Sequence, residues 1–286
     1  MKRYRTLIII LGTFAIYHVG VAVFGLSPSA IIAVYAVLIL AALVVFRAAF
    51  LSLLASISYS AGNKERAKRL FRLSIKHKAR NPNTYAIFAI VMLQEGEGDA
   101  ALELLRTALA MNPAEAVKKN LLFTTANSHW YMGNIGSAIE TMEGMVENYG
   151  DVDVNVLSSL GYLYILAGDF SKAKSTTERG LADAPQTATL WDNMGQIHMH
   201  EGDDAKAVAA FEKALEIKSD LVDCAYFLGM LHEKAGEAGR ARDYFLQARG
   251  CRISRYNTVT AEQVDAKYSE YLDMGYDDED AEEQEE

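Results

Sequence analysis

Three histidines, His129, His198 and His232, are the side chains whose type and recurrence best suit metal ligation or proton transfer. Each falls on the packing face of a helical pattern beside Gly or Ala, where a partly buried, hydrogen-bonded core histidine is the expected role. His198-Met199-His200 offers no chelate, because residues two apart on a helix point to different sides. Asp151-x-Asp153-x-Asn155 begins like a calcium loop, but it lacks the turn glycine and has Tyr162 at the closing glutamate position. Gly96-x-Gly98-x-x-Ala101 mimics a dinucleotide fingerprint, yet it follows a helical pattern and not a strand. The two cysteines, Cys224 and Cys251, have neither CxxC spacing nor a disulfide framework and read as free thiols. No catalytic, cofactor or metal site is expected, and the chain does not read as an enzyme.

The elements that carry these residues repeat. A glycine is followed five residues later by alanine six times: Gly62/Ala67, Gly96/Ala101, Gly133/Ala138, Gly168/Ala173, Gly202/Ala207 and Gly236/Ala241, with successive glycines 34, 37, 35, 34 and 34 residues apart. In the clearest copy, 185–219, Trp191, Met194, Gly195 and His198 share one helical face. After Gly202-Asp203, Ala207, Phe211 and Ala214 share another. Two amphipathic helices and a tight turn leave an apolar side uncovered, so copies at this period must stack into a solenoid.

The motifs Trp191-x2-Met194-Gly195-x2-His198, Leu157-x2-Leu160-Gly161-x2-Tyr164 and Ala225-x2-Leu228-Gly229-x2-His232 resemble the first-helix pattern of the tetratricopeptide repeat. Tyr85-x2-Phe88-Ala89-x2-Met92 fits more loosely, and Leu122-x2-Thr125-Ala126-x2-His129 is the weakest copy. Second helices fit through Ala101/Leu105/Ala108, Ala138/Met142/Met145, Ala173/Thr177/Gly180, Ala207/Phe211/Ala214 and Ala241/Phe245/Ala248. The expected fold is all-α: a tetratricopeptide helical solenoid of about five to six repeats over 55–252, then a capping helix over 260–274. The cap begins with Thr260-x-x-Gln263, a capping-box pattern, and presents Val264, Tyr268, Tyr271 and Leu272 as its apolar stripe.

Charge and hydropathy divide the chain. Of 28 Lys and Arg and 37 Asp and Glu overall, residues 1–80 hold twelve basic residues and one acid, Glu65. The acidic remainder is a poor nucleic-acid binder, since phosphate contacts need clustered positive charge. Residues Thr6–Leu26 carry no Asp, Glu, Lys or Arg, enough to cross a hydrocarbon core of about 30 Å at ~1.5 Å per residue. A second run begins after Ser27-Pro28. The expected organisation is a transmembrane hairpin over 1–54 with spans at 6–26 and 30–50, the second continuing into the first helix of the first repeat. No small-x-small cleavage site occurs around Val23–Ser27. Lys and Arg in the flanks place both termini and the solenoid on the cytoplasmic side. Beyond the spans, Lys64, Arg66, Lys68, Arg69, Arg72 and Lys76 either set topology and solvate a helix or also touch anionic lipid. The final ten residues, 277–286, hold eight acids and are expected to be a disordered, solubilising tail.

In the family resembled, first helices line a concave groove. The corresponding stripe here is unusually apolar and aromatic: Ile90, Phe123, Asn127, Trp130, Tyr162, Ile165, Gln196, Met199, Tyr226 and Met230. Such a surface marks a partner site; alternatively the next copy or the chain's own tail covers part of it. Asn127 has no Lys beside it on its stripe, which disfavours a clamp for a peptide carboxylate and favours a hydrophobic or amphipathic segment. The reading is a membrane-anchored adaptor that binds a partner protein through this groove. A self-associating scaffold, hence a homo-oligomer, and a non-catalytic regulatory subunit of a membrane enzyme are the alternatives.

Overall fold

A computed structural model of the chain describes residues 27–273 together with Gly12, Val19, Val21 and Gly25. The expected first span and the acidic tail therefore lie outside the described residues, apart from those isolated positions. Fourteen helices and no strand occur among the described residues. The chain divides into two compact units, Met1–Val91 and Met92–Glu286.

In the first unit, α1 (Pro28–Val45) starts as the sequence predicts, with Ser27 accepting a bond from the Ala30 amide and Pro28 in the first turn. Its surface is apolar on all sides, with Ile32, Val37, Ile39, Leu40, Val44 and Val45 all exposed. The expectation of one continuous helix through residue 50 is corrected. Phe46 leaves helical geometry, with φ −97° and ψ 16°, and α2 (Arg47–Ser60) departs at 77°. Among the described residues no single helix is long and apolar enough to cross a membrane; this bent pair together has the length and composition of a span, bent by 77°. The direction of α2 is set by its packing on α3 (Lys64–Lys76), where Ala55, Ala67 and Phe71 are fully buried. Ser74 donates to the Ala48 carbonyl at 2.7 Å, and the Ser52 and Ser74 hydroxyls lie 2.6 Å apart. Arg47 donates to His77 Nδ1 at 3.0 Å and to the Val44 carbonyl. On α4 (Pro82–Gln94), Phe88 stacks on Phe71 at 5.5 Å.

The second unit follows with α5 (Gly98–Ala110), α6 (Glu115–Tyr131), α7 (Ile135–Tyr149), α8 (Val154–Leu166), α9 (Phe170–Asp183), α10 (Ala188–Glu201), α11 (Asp204–Ile217), α12 (Val222–Lys234), α13 (Ala238–Gly250) and α14 (Ala261–Asp273). The pairs are α6 with α7, α8 with α9, α10 with α11, and α12 with α13, each packed on the next. All six recurring glycines sit at inter-helix corners with φ between 77° and 81°, the left-handed region that glycine alone enters freely. The second-helix triplets are the core: Ala101, Leu105, Ala108, Ala138, Met142, Ala173, Ala207, Phe211, Ala214, Ala241, Phe245 and Ala248 are all 0% exposed.

Close approach within a pair rests on glycine. A Cβ at Gly195 would collide with the Phe211 ring, and one at Gly229 would lie 2.6 Å from Phe245 Cε1. The motifs read above as false leads have local jobs. Asp153 caps α8 by accepting from the Asn155 amide at 2.8 Å, and Gly98 yields to the Met132 side chain. The end cap begins with the expected capping box: Thr260 N donates to Gln263 Oε1 at 2.8 Å, and Gln263 N to Thr260 Oγ1. Val264, Tyr268 and Tyr271 are buried, whereas Leu272, assigned to the same stripe, is 38% exposed.

Gly229→Ala should lower the thermal midpoint of unfolding, since forcing a methyl against a fully buried ring costs about 1–3 kcal/mol. Gly239→Ala on α13, where an added Cβ meets nothing within 4 Å, is the matched control and should leave the midpoint unchanged or raise it slightly. Equal midpoints for the two variants would show that close helix approach is not the constraint proposed.

Candidate functional site

The first helices α6, α8, α10 and α12 carry the stripe of candidate residues in the second unit, and almost none of it is open. Tyr162 and Gln196 are buried, at 6% and 7% exposure, while Phe123, Asn127, Trp130, Ile165, Met199, Tyr226 and Met230 are half-buried. Ile90, on α4 in the first unit, is also half-buried. Two of the candidates meet directly, with the Trp130 and Tyr162 rings 5.3 Å apart. Phe123 lines a cavity of about 460 Å³ together with Lys119, Asn120 and Asn155.

What covers the stripe is the chain itself. After α13 ends, residues 251–260 run back as an irregular strap with a turn at 254–257. Tyr256 meets Trp130 edge to face at 4.7 Å and lies 5.8 Å from Tyr131, while the Arg255 guanidinium sits over the Tyr131 ring. The Thr258 hydroxyl is hydrogen-bonded to the Tyr162 hydroxyl. Asp223, at the start of α12, accepts three hydrogen bonds from the strap: from Asn257 Nδ2 and the Thr258 amide at 3.2 Å each, and from the Val259 amide at 3.0 Å. Val259 then enters a small core with Val222, Ala225, Ala248 and Val264. Further along, α14 covers the end of the stripe, with Tyr271 5.5 Å from Phe245 beside Tyr226 and Met230. Lys267 closes this cover with an ion pair to Glu233 at 3.0 Å.

The strap residues and Asp223 escape a stripe drawn at i, i+4 and i+7. Extending that stripe by one turn toward each helix start adds Asn120, Asn155, Thr189 and Asp223, a polar row along the rim. Thr189 accepts from the Ser158 hydroxyl at 2.7 Å.

Electrostatically the centre of the face is a pair of buried carboxyl groups. Burial, reinforced by the Asp223 charge, raises the Asp192 carboxyl to about 7; Gln196 donates to it at 3.2 Å, and the Cys224 thiol also bonds it. Burial likewise raises Asp223, against the opposing pull of the three strap donors and of the Tyr162 hydroxyl. Burial raises the Tyr162 hydroxyl too. The face is therefore suited to hold donors, above all backbone amides and hydroxyls, and not anions.

The three histidines take different partners. His198 Nδ1 lies 3.0 Å from Glu201 and His232 Nδ1 2.7 Å from Glu237, whereas His129 Nδ1 is buried with no hydrogen-bond partner, contrary to the expectation that each would be hydrogen-bonded. Among the described residues no group of three or more His, Cys, Asp or Glu is arranged to hold a metal ion.

Residues 188–221 match the family model for the tetratricopeptide repeat, the copy that also reads most clearly in the sequence. The chain is 25% identical over 146 residues to the peroxisomal targeting signal receptor of Candida albicans, a match covering 50% of this chain and 25% of that protein. It is 34% identical over 74 residues to the photosystem I assembly protein Ycf3 of Prochlorococcus marinus, covering 25% of this chain and 43% of that one. The chain thus spans less than half the length of either relative. A tetratricopeptide repeat protein from Parabacteroides merdae superposes with a TM-score of 0.64 at 17% identity, over 79% of this chain and 85% of that one. At that identity the likeness concerns the fold, which is a tetratricopeptide-type helical solenoid.

A proton held by Asp192 in the folded state and released on unfolding contributes stability that is present below the ordinary carboxylate range and is lost as pH rises through about 7. Asp192→Asn, which keeps the acceptor for Gln196, should therefore gain in thermal midpoint relative to the unaltered chain as pH rises from 5 to 8. A constant difference between the two melting curves across that range would show that Asp192 does not carry the proton.

Proposed function

We propose that this chain is an adaptor: a protein-binding solenoid, held at a membrane by its apolar beginning, that engages a segment of a partner protein on the face of α6, α8, α10 and α12. The observation that carries the reading is the way this face already grips a peptide. It holds an irregular segment through backbone amides on one carboxylate, a hydroxyl pair and an aromatic edge, on the kind of surface that solenoids offer to partners. The related proteins agree in kind, one by its name a receptor for a targeting signal and the other an assembly protein. No catalytic step is part of this reading.

The membrane component is supported by α1, whose side chains from Ala36 to Val45 are apolar and exposed all round, an arrangement that water penalises and lipid does not. The bent pair formed with α2 has the length and composition of a span. Next to it α3 exposes Lys64, Arg66, Arg69, Arg72 and Lys76, while Lys68 is half-buried with a partner of its own. Anionic headgroups are the complement of that surface, at roughly 1 kcal/mol per basic residue. In this reading residues 6–50 occupy the bilayer and the solenoid is cytoplasmic, on the side favoured by Lys and Arg.

A photo-crosslinker placed at Ile165 or Met199 in intact cells should give discrete crosslinks to a second protein, and these should disappear with Trp130→Ala. Crosslinks only between copies of this chain would replace the adaptor with a self-associating scaffold. Independently, deleting residues 1–46 should release the chain from membranes while its helical circular dichroism persists. Retention on membranes after the deletion would remove the anchor from the reading.

A further inference from the structure

Resting on the adaptor reading, the strap identifies what the partner segment must look like. Cys251–Thr260 is a poor piece of core. Arg252, Ser254, Arg255, Thr258 and Thr260 are exposed, and Val259 alone is buried. The surface beneath it is the opposite, since Tyr162 and Asp223, which it touches, are both buried. The strap is therefore attached by polar bonds, by Tyr256 against Trp130 and Tyr131, by Arg255 over the Tyr131 ring, and by Cys251 and Ile253 packed half-buried beside the Val259 core. Its shape is set locally: Asn257 Oδ1 accepts from the Ser254 amide at 2.8 Å and from the Ser254 hydroxyl at 2.9 Å, folding a turn that points Tyr256 at Trp130. Beside it a cavity of about 750 Å³ remains open, lined among others by Trp130, Ile135, Leu166, Ile253 and Arg255. The strap fills only part of the available site.

We infer that residues 252–258 are an intrachain stand-in for the partner, and that the site receives a segment folded in a turn that presents an aromatic residue and, two positions on, a Ser or Thr. The Tyr256-x-Thr258 spacing supplies the pattern. The aromatic ring takes the edge of Trp130, the hydroxyl takes Tyr162, and the amide of the hydroxyl-bearing residue takes Asp223 Oδ2. Displacement can stop at residue 258, because the Val259 amide bonds the other oxygen, Oδ1, and the Val259 side chain stays in its core with α14. The partner would thus exchange one set of polar bonds for an equivalent set, and its flanking residues would replace the strap's side of the neighbouring cavity against Trp130, Ile135 and Leu166. A tethered segment acts at an effective concentration in the millimolar range, so the strap screens out any segment that lacks these three features.

The test uses the full chain in detergent and a fluorescein-labelled peptide of its own sequence, Ser254–Thr260, read by anisotropy. Tyr256→Ala/Thr258→Ala should bind the peptide at least about tenfold tighter than the unaltered chain, whose strap competes. Adding Trp130→Ala should abolish that binding, as should replacing both the Tyr and the Thr of the peptide by Ala. Thr258→Val alone, a change at an exposed position that keeps the shape and drops the hydroxyl, should give a smaller gain in the same direction. Failure of both strap variants to bind the peptide with helicity intact overturns the inference. So does a dimer of the unaltered chain that becomes monomeric in the double variant, since a second copy would then own the strap. If peptide binding fails while Trp130-dependent crosslinks to another protein persist in cells, the inference falls and the adaptor reading stands; peptide binding without such crosslinks has the reverse meaning.

Discussion

Two helices can approach only as far as the atoms between them permit, and the second unit depends on how small those atoms are. The Phe211 ring lies over Gly195 and the Phe245 ring over Gly229, with no room for a methyl between them. Alanines flank each ring on the second helix, at 207 and 214 and again at 241 and 248, and all are fully buried. The tight fit leaves each pair thin, with apolar faces on both of its outer sides. Burial of that surface, at about 25 cal/mol per Å², is available only from the next pair, so the stack is a consequence of the fit inside each pair.

A stack of thin pairs has an end, and the end has to be covered. Here α14 lays Val264, Tyr268 and Tyr271 on the last pair, but to reach that position the chain must first turn back after α13. The route of that return is the strap, and it places Tyr256, Asn257 and Thr258 on the inner face. Closing the stack and occupying the candidate site are therefore the work of one continuous stretch. The polar cost is concentrated at Asp223, a buried carboxylate stabilised by three donors from the strap. Charge-assisted bonds of this kind offset the desolvation that a lone buried carboxylate would suffer. Asp192 has only Gln196 and a thiol, which is why burial takes it so far from the ordinary carboxylate range.

The first unit obeys a different constraint. Its α2 and α3 bury a small core around Ala55, Ala67 and Phe71, yet α1 carries no polar face with which to meet water. Phe46 marks the boundary between the two regimes. Beyond it serines appear among the apolar residues, and Ser52 and Ser74 bond across the α2/α3 contact.

The sequence by itself determined whatever depends on spacing along one or two neighbouring helices. Six glycine corners, the Ala/Phe/Ala and Ala/Met/Met triplets, the Ser27-Pro28 start and the Thr260/Gln263 capping box all appear where the periodicity puts them, because helix geometry, left-handed turns and caps are local. The inner-face stripe was legible for the same reason, and with it the alternative of a cover supplied by the chain's own tail. Tertiary structure alone decided that cover. The bond between Tyr162 and Thr258 joins residues 96 apart, and nothing periodic in Arg-Tyr-Asn-Thr points to Trp130, Tyr162 or Asp223. It likewise decided the bend at Phe46, where Arg47 interrupts the apolar run without a helix-breaking residue and the packing of α2 on α3 fixes a new direction, and the exposure of Leu272, which shares a helical period with Tyr268 but not a neighbour. Periodicity tells which side of a helix is apolar; only the folded chain decides what lies against it.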